Sequence, residues 1–386
     1  MKQQTFNFFR LILTFQKKYD MLDFIKPENI KLIAKKVFAN QRITTSEALE
    51  LYKSNDLGIL AILAQHVRTR INQDKAFFNR NIHIEPTNIC IYSCDFCSYK
   101  RKIGEEGSWE STKEDILQQV IEHNKKGITE VHIVGGVHPK RNLEYYGDII
   151  KSIKEINPEL HIKAFTAVEL EFMIKKSGYT FAEGLSKLKE YGLDSIPGGG
   201  AEIFHDEIRT SICDAKTTSN LWLEMHETAH KAGIPSNATM LYGHIEKYEH
   251  RVHHLNELRE LQDRTSGFNT FIPLKYKKAN NSMEYIGEVS TIEDLKNYAV
   301  SRIFLDNIPH LKAYWPMIGK DTTQLSLSFG VDDVDGTIDD TTKIYSMAGA
   351  EDTKPKMSTE NLVELIKKAG FTPVERDTLY NAIKIY

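Results

Sequence analysis

Strand-like and helix-like segments alternate along most of the chain, and their order predicts the architecture. From residue 81 onward, short segments with alternating apolar and polar residues are separated by helical patterns. The strand candidates are IHIEPTN from Ile82, EVHIVGG from Glu130, LHIKAFT from Leu160, DSIPGGG from Asp194, SNATMLYGH from Ser236, GFNTFIPL from Gly267, PHLKAYWP from Pro309 and QLSLSFG from Gln324. The helical patterns include Lys113–Lys126, Phe181–Tyr191, Leu221–Ala232 and Thr291–Phe304. Eight β–α repeats predict an α/β fold, a (βα)8 TIM-type barrel over residues 81–340.

The segments before and after the barrel have their own patterns. Residues 21–80 predict a helical cap, in which Thr44-Thr45-Ser46-Glu47 is a helix start signal and Leu57–Arg70 is a further apolar helix. Residues 341–386 predict an extension that packs on the barrel, with a helix over Thr359–Gly370 and a short terminal strand. Residues 1–20 are interpreted either as an upstream extension or as a short amphipathic surface helix.

The predicted strands are unusually polar for a parallel sheet, whose strands are normally apolar on both faces. In a barrel the apolar residues must face the helices, so the alternating polar residues face the lumen. These residues are His83, Glu85, Thr87, His161, Lys163, Asn237, Thr239, His310, Lys312, Tyr314, Ser326 and Ser328. A lumen of this kind predicts a buried reaction chamber. An antiparallel sheet with one solvated face is the alternative, but the intervening helices disfavour it.

Composition excludes several classes of function. The chain has 50 Lys and Arg residues against 53 Asp and Glu residues, a formal net charge of −3. A general nucleic-acid-binding protein normally has a basic excess, so we expect no nucleic-acid partner. No apolar run approaches the roughly 18 residues of a membrane span, so we expect a cytoplasmic protein with no stable membrane association. The four cysteines are too few and too clustered for a disulfide framework.

Three of the cysteines form the most informative motif. Cys90, Cys94 and Cys97 lie in the order C-x-x-x-C-x-x-C after the first barrel strand. Thiolates are ligands for iron–sulfur clusters, zinc or copper(I), and three ligands to a four-iron cluster leave one iron open for catalysis. The alternative is a structural zinc site closed by a histidine or by Cys213, which is otherwise interpreted as a thiol without a role.

The triplet, with Phe96 before its last cysteine, closely resembles that of the radical S-adenosylmethionine (SAM) enzymes. The resemblance implies a 4Fe-4S cluster on the three cysteines and SAM bound to its open iron. It also implies that the backbone of Gly135 and Gly136 receives the SAM amino group, and that Glu202 and Arg209 hold the ribose and the carboxylate of SAM. The alternatives are a plain tight turn at the two glycines and a surface ion pair at Arg209.

Longer segments narrow the resemblance within that family. HIEPTNIC, GGVHP, KAFTAVE, SIPGGGAEIF, LYGHIE and GFNTFIPL are similar to the aminofutalosine synthases of menaquinone biosynthesis. The similarity implies that the 5′-deoxyadenosyl radical adds to 3-[(1-carboxyvinyl)oxy]benzoate, with rearrangement and loss of the carboxyl carbon, to give 6-amino-6-deoxyfutalosine. SAM is then consumed, and an external donor such as flavodoxin or ferredoxin supplies the electron. The alternatives are a cyclic dehypoxanthine futalosine synthase, a zinc-dependent barrel hydrolase and an electron-transfer iron–sulfur protein.

The implied substrate has two carboxylates, which predicts fixed positive charge in the lumen. Lys163 and Lys312 are the candidates for binding it. The candidates for proton carriers or orienting groups are His83, Glu85, His161, His244 and Glu246. A structural hydrogen bond is the alternative for each of these side chains.

Overall fold

The computed structural model describes residues 22–213, 216–337, 343–350 and 356–386. The predicted extension over residues 1–20 lies outside the described residues. Within the described part of the chain, no helix is both long and apolar enough to cross a bilayer.

Three helices precede the barrel and confirm the predicted helical pattern. They are α1 (Glu28–Phe38), α2 (Thr45–Lys53) and α3 (Leu57–Asn72). The start signal before α2 is a capping box, because Thr44 accepts from the amide of Glu47 and the Glu47 carboxylate accepts from the amide of Thr44. Helix α3 buries Leu60, Leu63 and Ala64 and packs against the last long barrel helix.

A curved parallel sheet surrounded by helices follows, which confirms the predicted (βα)8 class. The strands are β1 (Lys75–Phe78), β2 (Asn81–Ile84), β3 (Glu130–Ile133), β4 (His161–Ala164), β5 (Ser236–Tyr242), β6 (Phe268–Lys275), β7 (His310–Ala313) and β8 (Asp333–Val334). The helices are α4 (Lys113–Asn124), α5 (Leu143–Ile156), α6 (Ala167–Lys176), α7 (Phe181–Tyr191), α8 (Asp206–Cys213), α9 (Ser219–Lys231), α10 (Tyr248–Thr265), α11 (Thr291–Phe304), α12 (Trp315–Ile318) and α13 (Lys320–Ser326).

The strand order follows the chain. Strands β2, β3 and β4 form one parallel ladder, and β5 to β8 form another that β8 continues to β1. Single bridges from Lys163 to Ser195 and from Ile196 to Ser236 join the two ladders. On the other side, the amide of Thr337 donates to the carbonyl oxygen of Asn79. The array therefore encloses a lumen.

The predicted fourth strand, DSIPGGG, makes only these two bridges and is not a regular strand. Side chains, rather than a neighbouring strand, bind the carbonyl groups of its glycines. Thr239 Oγ1 donates to Gly198 O at 2.6 Å and Trp222 Nε1 donates to Gly199 O at 3.3 Å. Added Cβ atoms would also clash here, since the one at Gly198 would lie 2.6 Å from Asn237 O. The segment is thus an irregular turn packed tightly on β5.

The prediction of an eighth strand over QLSLSFG was wrong. Residues 320–326 form helix α13 and Leu327–Phe329 form a 3₁₀ turn, so the eighth strand is Asp333–Val334. The alternating residues do not form two faces of a strand, because Leu325 is half exposed while Ser326 is buried. Ser326 Oγ donates back to Thr323 O at 2.7 Å, as serine does in helices. Ser326 and Ser328 are therefore not lumen residues.

The terminal segment adds two strands where one was predicted. After α14 (Ile344–Met347) and α15 (Thr359–Lys368), β9 (Thr372–Arg376) pairs in parallel with β1 and β10 (Ala382–Ile385) pairs antiparallel with β9. Strand β1 was also not predicted. Arg376 at the end of β9 forms a two-pronged ion pair with Asp333 of β8, with Nε 3.1 Å from Oδ1.

The pair between Arg376 and Asp333 is buried, with exposures of 2% and 0%. Replacing Arg376 by Met leaves a buried carboxylate short of a partner, so we expect about 3–5 kcal/mol loss in the free energy of unfolding. Arg264→Met removes an exposed ion pair to Glu227 and should cost less than about 1 kcal/mol. Denaturant unfolding of the metal-free variants measures both, and equal losses would contradict the structural role of Arg376.

Candidate active site

A cavity of about 300 Å³ opens at the end of the barrel where the strands finish. Its lining includes residues at or just after the ends of successive strands: Glu85, Gly135, Thr166, Gly199, Leu241, Tyr276, Tyr314 and Asp335. Active sites of TIM-type barrels lie at this end. Ile272, Leu274, Met317 and Ile344 add apolar surface.

All three cysteines of the triplet line this cavity. Their loop is anchored where it begins, since Cys90 N donates to Arg101 O at 3.0 Å, and it contains a turn in which Cys97 N donates to Cys94 O at 3.1 Å. Lys102 Nζ lies 2.9–3.3 Å from the carbonyl oxygens of residues 90, 91 and 92. The loop is therefore ordered by the protein itself.

The chemistry of the three thiols fits a cluster. Burial raises the pKa of the Cys90 and Cys94 thiols, that of Cys94 to about 12, so both are neutral unless a metal displaces their protons. Among the described residues, no three His, Cys, Asp or Glu side chains converge as ligands of one metal ion. Three thiols on one cavity leave one iron of a four-iron cluster open, whereas a structural zinc ion takes four protein ligands. Cys213 is buried near Cys94 but does not line the cavity.

The glycine motif after β3 packs directly on the segment that leads into the cysteine loop. A Cβ atom at Gly136 would lie 2.3 Å from Ile89 O, and one at Gly135 would lie 2.9 Å from Thr87 O. Gly136 N donates to Thr87 O at 2.7 Å, and Gly135 N donates to Glu169 Oε1 at 3.0 Å. A backbone N–H can only donate, so the carbonyl oxygens of Gly135 and Gly136 are the groups able to accept from an amino group.

Glu202 follows the irregular glycine segment and has a left-handed backbone, with φ of 47°. A residue other than glycine pays about 1–2 kcal/mol for this conformation. The hydrogen bond from Leu241 N to Glu202 O, at 2.7 Å, holds it in place. Its carboxylate lines the cavity and contacts the ammonium of Lys216. Glu202 and the three cysteines thus line the same cavity, and the binding of the SAM ribose by Glu202 stays a prediction.

Arg209 is placed differently from the sequence expectation of a residue that faces SAM. It is 5% exposed and does not line the cavity. Its guanidinium donates to the carbonyl oxygens of Ala201 and Thr217. A residue this buried is not at the surface, which the alternative interpretation of a surface ion pair required. Lys216, which the sequence interpretation did not single out, lines the cavity instead.

Lys163 and Lys312 both line the deep end of the cavity. Each already has a buried carboxylate partner: Lys163 Nζ lies 2.6 Å from Glu130 Oε1, and Lys312 Nζ lies 3.0 Å from Asp335 Oδ1. A charge in a dry interior needs such a partner. The two lysines are therefore not unpaired cations, and their binding of substrate remains a prediction.

A histidine pair lies beside these lysines. His83 Nε2 and His132 Nδ1 are 3.2 Å apart, and both rings line the cavity. Burial lowers the pKa of His83 to about 4 and that of His132 well below its usual value. Both imidazoles are consequently neutral near pH 7, and the bond between them requires one ring to donate and the other to accept.

The remaining candidates have structural partners. Glu85 lines the cavity and accepts from the amides of Lys343 and Ile344, at 2.8 and 3.1 Å, while burial raises its pKa to about 7. His161 does not line the cavity, and its Nε2 lies 2.7 Å from Ser195 Oγ. His244 and Glu246 also lie outside the cavity lining, where they order the turn after β5.

Three side chains of the site were missed from the sequence. Glu130 and His132 alternate with Val131 and Ile133 in EVHIVGG, so the rule applied to the other strands would have found them. Lys216 follows helix α8 in a loop without periodicity. The nearest signal was its position just before Thr218, the N-cap of helix α9.

The comparisons with known proteins agree with this geometry. Residues 84–258 match the model of the radical SAM superfamily, and residues 265–386 match the model described as the CofH/MqnC C-terminal region. The chain belongs to the radical SAM superfamily. Its cofactors are accordingly a 4Fe-4S cluster and SAM, and the zinc-hydrolase alternative is excluded.

Similar curated proteins cover almost the whole chain. The aminodeoxyfutalosine synthase of Thermus thermophilus is 42% identical over 92% of this chain and 96% of its own length. That of Streptomyces coelicolor is 41% identical, over 92% of this chain and 94% of its own length. The cyclic dehypoxanthine futalosine synthase of S. coelicolor is 34% identical, over 93% of this chain and 90% of its own length.

A solved structure supports the fold. The FeFe-hydrogenase maturase HydG from Carboxydothermus hydrogenoformans superposes with a TM-score of 0.72, covering 96% of this chain and 86% of that chain. With 20% identity, the likeness is one of fold alone.

Each of the three single variants Cys90→Ala, Cys94→Ala and Cys97→Ala should lack one cluster ligand. We expect iron well below four per chain after anaerobic reconstitution and no detectable turnover. Cys213→Ala, which changes a buried thiol outside the cavity, should retain both iron and turnover. Iron analysis and product formation measure these effects, and turnover in any of the three single variants would overturn the ligand assignment.

Gly136→Ala tests the close backbone approach behind the cysteine loop. The added methyl group would overlap Ile89 O, so we expect a loss of about 1–3 kcal/mol in stability and weaker iron retention. Gly287→Ala is the control, because nothing lies within 4 Å of a Cβ there. Unfolding midpoints and iron content compare the two, and identical behaviour would show that the loop tolerates the shift.

Proposed function

We propose that the protein is an aminodeoxyfutalosine synthase of menaquinone biosynthesis. It joins the 5′-deoxyadenosyl group of SAM to 3-[(1-carboxyvinyl)oxy]benzoate, with rearrangement and loss of the carboxyl carbon, to give 6-amino-6-deoxyfutalosine. The observation that carries the proposal is the 42% identity to a synthase with this name over 92% of the chain. The cavity, with the cysteine triplet and the polar lumen in one space, provides the site.

The cluster and SAM supply a 5′-deoxyadenosyl radical, and the protein supplies placement. We assign Cys90, Cys94 and Cys97 to the cluster, the carbonyl groups of Gly135 and Gly136 to the SAM amino group, and Glu202 to the ribose. A carboxylate suits two hydroxyl donors, and the hydrogen bond from Leu241 N to Glu202 O holds the backbone from which it projects. These groups occupy the mouth of the lumen. The aromatic substrate therefore lies deeper, towards β7 and β8.

The deep end of the cavity suits an aromatic acid. Ile272, Leu274 and Tyr314 offer an apolar surface for a ring. Lys163, Lys312 and the neutral pair of His83 and His132 are the polar groups nearby. Since both lysines have carboxylate partners, a bound substrate carboxylate would be shared between an ammonium and an imidazole N–H rather than neutralise a free cation.

Enclosure matters for such a reaction, because a reactive carbon radical must be kept from water and other quenchers. The segment with Ile344 and Ala348 covers part of the cavity, and the Glu85 carboxylate holds its backbone. A one-electron donor such as flavodoxin or ferredoxin, and a cytoplasmic location, belong to the same proposal.

The cyclic dehypoxanthine futalosine synthases are the second candidate, and the fate of the adenosyl group separates the two. Anaerobic incubation with reductant, SAM and 3-[(1-carboxyvinyl)oxy]benzoate should give a product that contains adenine and ribose, with an equal amount of methionine. Mass analysis measures both, and the Cys94→Ala variant is the blank. If the protein instead consumes dehypoxanthine futalosine and releases free 5′-deoxyadenosine, the second candidate is right.

A further inference from the structure

The Lys216 ammonium lies between two parts of the site that are far apart in sequence, the glycine-rich segment that ends at Glu202 and the cysteine loop. Its ammonium contacts the carboxylate of Glu202, at the end of the glycine-rich segment. It also lies 5.4 Å from the centre of the Phe96 ring, between the second and third cysteines of the triplet. The side chain is only 13% exposed and lines the cavity. One ammonium therefore faces both the predicted ribose site and the cluster loop.

Arg209, by contrast, is hydrogen-bonded to the backbone next to Glu202 and next to Lys216. Its guanidinium bonds to the carbonyl oxygens of Ala201, the residue before Glu202, and of Thr217, the residue after Lys216. Arg209 does not line the cavity. Arg209 thus holds Glu202 and Lys216 next to each other.

The other cavity lysines near the mouth are placed less well for a ligand at the cluster. Lys275 pairs with Asp294 at 2.8 Å, and Lys277 pairs with Glu288 at 2.6 Å. Neither of these carboxylates lines the cavity, whereas Glu202 does. Lys100 donates to Cys97 O at 3.0 Å, on the cluster loop itself. An ammonium has three donors, so Lys216 can bind Glu202 and a ligand at once.

We propose that Lys216 binds the carboxylate of SAM and that Arg209 acts only by positioning. In SAM, the methionine carboxylate and the ribose lie on opposite sides of the sulfonium sulfur. A SAM molecule with its ribose on Glu202 and its carboxylate at the cluster would lie beside the Lys216 ammonium, which contacts Glu202 and is 5.4 Å from the Phe96 ring centre. The inference rests on the proposed function only for its use of SAM and the cluster, and not for the identity of the aromatic substrate.

The test compares two ligands that differ by one group, SAM and decarboxylated SAM. Equilibrium dialysis with the oxidised, reconstituted enzyme measures both affinities without reductant or aromatic substrate. Lys216→Met should weaken SAM binding about 10- to 100-fold, the range for one charge-assisted hydrogen bond, and leave decarboxylated SAM unchanged. Lys216→Arg should remain within a few-fold of the unmodified enzyme, because it keeps the charge.

Matched variants separate this role from a structural one. Lys277→Met removes another paired lysine of the same cavity and should change neither affinity. Arg209→Met should weaken both ligands by similar factors, because it disturbs the backbone of Glu202. The iron content of Lys216→Met should match that of the unmodified enzyme, while its unfolding midpoint should fall, because the Glu202 carboxylate loses its buried partner.

Three results would overturn the proposal. Lys216→Met could weaken both ligands equally, which would mean that it acts through Glu202 alone. It could weaken neither, which would place it outside the SAM site. A selective loss in Lys100→Met but not in Lys216→Met would assign the carboxylate to Lys100. Because no aromatic substrate is present, none of these results bears on whether the product is 6-amino-6-deoxyfutalosine.

Discussion

Pairing of charge in a dry interior is the constraint on which the rest of the structure depends. A barrel with a polar lumen must compensate each buried ion, because an isolated charge in a low-dielectric interior is too costly to keep. Glu130 with Lys163, Asp335 with Lys312 and Asp333 with Arg376 are the main pairs. The third pair joins β9 to the barrel, so the terminal segment supplies the cation that neutralises Asp333 of β8. The deep end of the cavity is therefore both polar and close to neutral.

Close backbone packing shapes the mouth of the same cavity. Gly136 lies against Ile89, and Gly198 lies against Asn237, at distances that leave no space for a Cβ atom. The first contact supports the segment before the cysteine loop, and the second sets the glycine segment against β5. Glu202 and the cysteines line the same cavity, and the Lys216 ammonium contacts Glu202 and lies 5.4 Å from the centre of the Phe96 ring. Glycine serves at these two positions by its small size.

How far the sequence predicts such a site depends on the type of signal. The alternation of polar and apolar residues correctly placed His83, Lys163, Asn237 and Lys312 in the lumen, because side chains of a strand alternate strictly. The same alternation failed at QLSLSFG, where the preceding turn at Gly319 starts a helix. The strand predicted over DSIPGGG is not a regular strand either, because carbonyl groups of its glycines bond to side chains from other elements. Local pattern predicts local conformation well only where the hydrogen-bond partners are local or belong to a regular ladder.

By itself the sequence determined the barrel class, the cysteine triplet and the family, since each depends on spacing along the chain. Only the tertiary structure decided the partners of the cations. Arg209 has the right type and spacing for a carboxylate, but its guanidinium is bonded to Ala201 and Thr217, while Lys216 reaches the cavity. Lys163 and Lys312 face the lumen as predicted, yet they are paired with Glu130 and Asp335. The direction and partner of a long charged side chain depend on residues distant in sequence, and no periodicity encodes them.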